Sequence, residues 1–110
     1  MSPPAAGAQR AVKAPDLEQK AEEIGRIMGV IANPRRLLVL CRLAETGEMT
    51  VTQLTEAIGL SQSALSQHLA IMRATGLLAT RKDGLNVFYS IADSRALDLM
   101  QSLERIYCRT

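Results

Sequence analysis

A chain of 110 residues, 47% of them hydrophobic, is long enough for one folded domain and short enough that a second copy would help to close its core. Aromatics make up 3% with no Trp, which leaves the core to aliphatic side chains and offers no stacking platform for single-stranded nucleic acid. The net charge is +2, and residues 15–110 balance at 11 basic against 11 acidic, so any affinity for nucleic acid has to come from local placement of charge.

No run approaches the length of a membrane span, and the first residues lack the apolar core of a signal peptide. A cytoplasmic protein without membrane contact is expected. The two cysteines, Cys41 and Cys108, are then thiols rather than a permanent disulfide.

Residues 1–14 are rich in Ala, Pro and Gly without apolar period and read as a disordered tail. Residues 15–110 read as a single DNA-binding and dimerisation domain. A first helix is expected after Pro15, with Leu17, Ala21, Ile24, Met28 and Ile31 as an apolar stripe widened by Ile27. Asn33-Pro34 is a start signal for a second helix, a capping residue followed by proline at the first helical position. This helix should end at Gly47. Leu37, Leu40, Cys41 and Ala44 recur at helical spacing, so Cys41 is expected to point inward, while Arg35 or Arg36 can touch phosphate.

From Thr50 to Gly76 the chain reads as two short helices meeting at a sharp turn. Thr50 caps the first, Gly59 supplies the left-handed residue that ends it, and Ser61 caps the second. That is a helix-turn-helix. Leu65, Leu69 and Met72 face a core, while Gln62, Ser63, Ser66 and Gln67 lie where a helix entering a major groove reaches base edges. No carboxylate occurs between Ala57 and Lys82, and Arg73, Arg81 and Lys82 favour phosphate. The same pattern also suits an amphipathic helix whose polar side meets only water.

Leu77 to Lys82 and Asn86 to Ile91 are strand-like runs joined through Asp83-Gly84, as in a two-stranded hairpin. A hairpin directly after a recognition helix is a wing, and Arg81, Lys82 and Asn86 are its candidate DNA contacts; ordinary solvated hairpin charges are the plainer reading. Asp93 or Ser94 caps a last helix to about Tyr107 that is apolar over more than half its circumference. A partner helix from a second copy is the natural cover, giving a homodimer through the first and last helices whose two recognition helices address a near-palindrome. The expected fold is mainly α with a small wing, in the order α-α-α-α-β-β-α.

The Asn33-Pro34-Arg35-Arg36-Leu37 start, the Ser63-x-x-Ser66-x-His68-Leu69 helix followed by Gly76-Leu77-Leu78, and the wing ending Phe88-Tyr89 together resemble the ArsR family of bacterial winged-helix repressors. The match covers about residues 16–108. What the resemblance implies is a homodimeric repressor of double-stranded operator DNA that leaves when an inducer binds. Many members sense metals, but Val51 to Glu56 holds no cysteine and Arg95 to Tyr107 no histidine, so the ligand sets of those members are missing. His68, in the recognition helix, reads as packed, hydrogen-bonded or near DNA rather than as a metal ligand.

One cysteine in the second helix and one after the last resemble the BigR and SqrR subgroup, repressors of sulfide-oxidation genes that respond to low-molecular-weight persulfides and polysulfides. The resemblance carries the redox-sensing roles onto Cys41 and Cys108, bridged by two or more sulfur atoms. Cys108, beside Arg105 and Arg109, is the expected first nucleophile, although the helix dipole opposes a thiolate there. Cys41 should resist ionisation through desolvation. The competing readings are a metal-responsive repressor, a small thiol oxidoreductase and a DNA-bending protein. Against the oxidoreductase, there is no Cys-x-x-Cys and no glycine-rich cofactor loop; no metal, no cofactor and no enzymatic activity are expected.

Overall fold

Every helix after the first begins where a short side chain supplies a cap, and the chain's architecture is the spacing of those caps. The computed structural model describes residues 14–108, in the order α1 (Ala14–Ile31), α2 (Pro34–Thr46), β1 (Met49–Thr50), α3 (Val51–Ile58), α4 (Gln62–Ala74), β2 (Leu78–Asp83), β3 (Asn86–Ile91) and α5 (Ser94–Tyr107). Asn33 Oδ1 accepts from the Arg35 and Arg36 amides at 2.9 and 3.2 Å with Pro34 in the first turn, satisfying donors that no helical carbonyl can reach. Thr50 and Gln53 form a reciprocal capping box, and Gly59, at φ +84°, ends α3 in the left-handed region that glycine occupies without a Cβ penalty. Ser61 then caps α4 and Asp93 caps α5.

The mainly α, winged helix-turn-helix class is what is found, with one strand more than the sequence pattern shows. Met49 and Thr50 pair antiparallel with Tyr89 and Phe88, so the wing is a three-stranded sheet in the order β1-β3-β2. Two residues are too few to carry a period of 2, so the hydrophobic pattern is silent on them. The hairpin tip also differs. Asp83 pairs with Asn86 and leaves Gly84-Leu85 as the turn, with Gly84 at φ +63°; the ladder extends by one pair through Asp83 because glycine is suited to the first turn position of a two-residue hairpin. The first helix includes Pro15 in its first turn and starts at Ala14, where proline's missing N–H costs nothing. The rest of the expected tail lies outside the described residues.

The core gathers Val39, Leu40 and Leu43 of α2, Leu54 of α3, Leu65, Leu69 and Met72 of α4, and Leu77 and Leu78 entering β2, all essentially without solvent contact. Ala96 and Met100 bring α5 onto it, and Ile31 brings the end of α1. The rest of the α1 stripe stays open: Leu17, Ile24 and Met28 are exposed, as are Ile106 and Tyr107 at the end of α5. Among the described residues no helix is long and apolar enough to cross a membrane.

Candidate DNA-binding face and dithiol groove

The buried stripe of α4 fixes what its other side presents. With Leu65, Leu69 and Met72 turned into the core, Gln62, Ser63, Ser66, Gln67 and Arg73 all stand exposed. Residues i and i+4 lie on one helical face, so 62/66 and 63/67 form a two-column array of amide and hydroxyl groups beginning at the helix N-terminus. Behind it, β2 and β3 follow directly from α4, and Lys82 and Asn86 are exposed near the hairpin turn.

Arg81 is placed differently from the expectation of a residue near the tip. It pairs with Phe88 within the ladder, and its guanidinium donates Nε to Glu48 Oε2 at 2.9 Å and NH2 to Glu48 Oε1 at 2.8 Å. The same group lies 4.7 Å from the centre of the Phe88 ring. The two-pronged hydrogen bond from Arg81 holds the Glu48 carboxyl below its ordinary value. Glu48 precedes β1, so the carboxylate missing from the stretch between Ala57 and Lys82 is supplied from elsewhere in the chain. Lys82, also exposed, is the hairpin cation without an ion pair among the described residues.

His68 and Arg36 form a second connection that sequence spacing does not reveal. Arg36 Nε donates to His68 Nδ1 at 3.2 Å, and Arg36 NH1 donates to the Val30 carbonyl at 3.2 Å. Of the two arginines expected near phosphate, Arg36 is therefore turned inward and half-buried, while Arg35 is exposed. Burial first, then the positive charges of Arg36 and Arg35, lowers the His68 pKa from its ordinary 6.5.

A groove of about 910 Å³ separates α2 from α5, and both cysteines line it. Its floor is apolar, with Leu37, Ala44, Met100 and Leu103, and Arg42 and Arg105 stand at its margins. Cys41 is exposed rather than inward-pointing. The expected stripe splits in two: Leu40 enters the core with Val39 and Leu43, and Leu37, Cys41 and Ala44 face the groove, because each residue step turns a helix by about 100°. Desolvation nonetheless pushes the Cys41 thiol up, helped by the charges of Cys108 and Glu45. Cys108 caps the end of α5, its amide bonded to the Glu104 carbonyl at 2.9 Å, and is also exposed. Arg109 lies outside the described residues. No group of three or more His, Cys, Asp or Glu side chains placed to hold a metal ion occurs among the described residues.

Residues 33–80, from the α2 cap through the helix-turn-helix into β2, match the model of the bacterial regulatory proteins of the arsR family. The chain belongs to that family. It is 34% identical over 93 residues to the biofilm growth-associated repressor of Xylella fastidiosa, covering 84% of this chain and 81% of the relative. It is 38% identical over 94 residues to the transcriptional activator HlyU of Vibrio cholerae, covering 86% of both chains. The structures agree: the crystal structure of BigR from Xylella fastidiosa superposes with a TM-score of 0.83 at 32% identity over 90% of this chain and all of that one. Reduced HlyU from Vibrio cholerae superposes at 0.79 and 38% identity, over 86% of this chain and 98% of the other. This family member is thus a DNA-binding transcriptional regulator built as a winged helix, and not an enzyme.

Proposed function

We propose that this chain is a homodimeric repressor that binds operator DNA through α4 and the wing and is released when reactive sulfur species bridge Cys41 and Cys108. The observation that carries the sensing half is the shared groove: two exposed thiols, one from α2 and one from the end of α5, face the same apolar cleft, near enough that the charge of Cys108 raises the Cys41 pKa. The exposed apolar residues of α1 and α5 support the dimer.

Desolvation first, then the neighbouring Cys108 and Glu45, disfavours the Cys41 thiolate, so Cys41 is the second thiol to react and Cys108 the first. The Cys108 thiolate takes the outer sulfur of an organic persulfide, R–S–SH; the S–S bond of the donor breaks and R–S⁻ leaves with the electron pair. The product is Cys108–S–SH. Attack by the Cys41 thiolate on the inner sulfur expels hydrosulfide and closes a disulfide, and attack by a Cys41 that has itself been persulfidated closes a trisulfide with the same leaving group. The donor's outer sulfur is the oxidant in each case. A longer bridge spans a greater Cα separation than the roughly 7 Å limit of a plain disulfide, so sulfur donors are favoured over peroxide if the two Cα atoms stand further apart than that.

Either bridge fastens α2 to α5. If α5 is a dimer helix, the bridge biases the spacing of the two recognition helices, and a coupling of ~1–3 kcal/mol changes operator affinity about 5–150-fold. Derepression of sulfide-detoxifying genes is the physiological counterpart. The test pairs intact-mass spectrometry after exposure to an organic persulfide with anisotropy titration of promoter DNA for the wild type, Cys41→Ser and Cys108→Ser. A loss of two hydrogens (disulfide), or a gain of one sulfur with the loss of two hydrogens (trisulfide), together with DNA release that either substitution abolishes, supports the switch. Unchanged DNA affinity in the bridged wild type rejects it.

A further inference from the structure

One guanidinium group ties together three helices. Arg36 belongs to α2, bonds the carbonyl of Val30 in the last turn of α1, and bonds the imidazole of His68 on α4. The Val30 carbonyl needs an outside donor: its helical partner would be the amide of residue 34, which is proline and has none, and the Asn33 amide goes to the Ile31 carbonyl instead. The kink between α1 and α2 thus creates an acceptor that Arg36 fills.

The geometry points to Arg36 and His68 as a clamp that sets the angle of the recognition helix against α1 and α2, with His68 a positioning residue for DNA reading rather than a reader. It rests on the DNA-binding half of the proposed function and is independent of the cysteines. The bond has a fixed sense. Arg36 has only donors, so Nδ1 must accept, and the ring must be neutral with its hydrogen on Nε2. A protonated imidazole has no acceptor to offer and would place two cations in contact. The charged groups acting on the ring are Arg36 and Arg35, both of α2, and both oppose its protonation, as burial does. His68 lies one residue after Gln67 on α4, with Leu69 buried on its other side. Losing the clamp therefore frees the segment that carries the candidate base contacts while the core beneath stays closed.

Specific recognition should then fail in mild acid. Protonation is resisted, so the loss sets in below the ordinary histidine value of 6.5. Raw affinity is a poor readout because acid also strengthens non-specific binding to phosphate; the ratio of specific to non-specific affinity removes that contribution. With full-length reduced protein, a duplex enriched by the wild type from random sequence and a scrambled duplex of equal length, we expect this ratio to fall about tenfold between pH 7.5 and 5.5, a change of about 1.4 kcal/mol. His68→Asn places an amide oxygen near the position of Nδ1 and should keep the ratio across that range. His68→Leu and Arg36→Leu should each lower it at every pH, and the double variant should lose no more than either single one, the signature of two residues acting as a unit. A wild-type ratio and pH profile in His68→Leu, or additive losses in the double variant, would overturn the clamp. Should His68→Leu fail to fold by circular dichroism, His68→Asn decides, since an acid loss persisting there excludes imidazole protonation as the cause. Nitrogen-15 spectra of the imidazole test the pairing without DNA: a hydrogen on Nδ1 at pH 7.5 overturns it whatever the DNA result.

Discussion

The middle of the chain and its two end helices are built to different degrees of completion. From α2 to β3 most of the apolar side chains close on one another, Leu38, Ile71 and Leu85 excepted: Leu40, Leu54, Leu65, Met72 and Leu77 have no measurable exposure, and α2, α3 and α4 all start on side-chain caps. In α1 the same kinds of residue lie open, with Leu17, Ile24 and Met28 between 41 and 48% exposed, and at the end of α5 Ile106 and Tyr107 reach 65 and 79%. Both regions are apolar by composition, so composition does not separate them. What separates them is that the central region finishes its core within the described residues, whereas these side chains of the end helices find no cover there. Under the proposed function the first arrangement is a reading head and the second an assembly face.

Substitutions in the two regions should have different readouts. Leu40→Ala removes a fully buried side chain and should cost ~2–5 kcal/mol of stability, measured from urea unfolding midpoints; a cost below about 1 kcal/mol would mean that the core is not closed there. Met28→Glu, on the open face, should leave the helical content near wild type and weaken dimerisation about a hundredfold, roughly 2.8 kcal/mol, by sedimentation. A dimer that survives it, or a monomer that unfolds with it, would erase the distinction between the regions. Within the reading head, Gln67→Ala should relax preference at one base pair by ~1–3 kcal/mol. Lys82→Ala should lower affinity on every sequence by a smaller factor and reduce the salt slope by about 1. Equal losses on specific and random DNA for both variants would reject that division of labour.

Much of the central region was legible because its signals are local. Asn33-Pro34, Thr50, Gly59 and Ser61 each satisfy backbone groups within a few residues, so sequence neighbours suffice to locate the helix ends. Three things were not local. The pairing of Met49–Thr50 with β3 depends on register across about 40 residues. The Arg81–Glu48 and Arg36–His68 bonds join residues 33 and 32 apart, and nothing in either neighbourhood marks its partner. Cys41 shows a different limit: helical spacing groups Leu37, Leu40, Cys41 and Ala44 as one stripe, but only the packing of α5 shows that this stripe faces both a core and a groove. The shared groove of Cys41 and Cys108 was not visible in the spacing of the residues; the resemblance to a family had paired them.

The bidentate bond between Arg81 and Glu48, with Phe88 beneath the guanidinium, also bears on how the wing meets DNA. A hairpin cation held by three contacts has already surrendered most of its rotamer freedom, so little ordering entropy remains to be lost on docking. Under the proposed function the wing then arrives as a rigid extension of the reading head rather than as an arm that folds onto the duplex. Such an encounter is governed by orientation: either both elements fit the DNA together or neither holds.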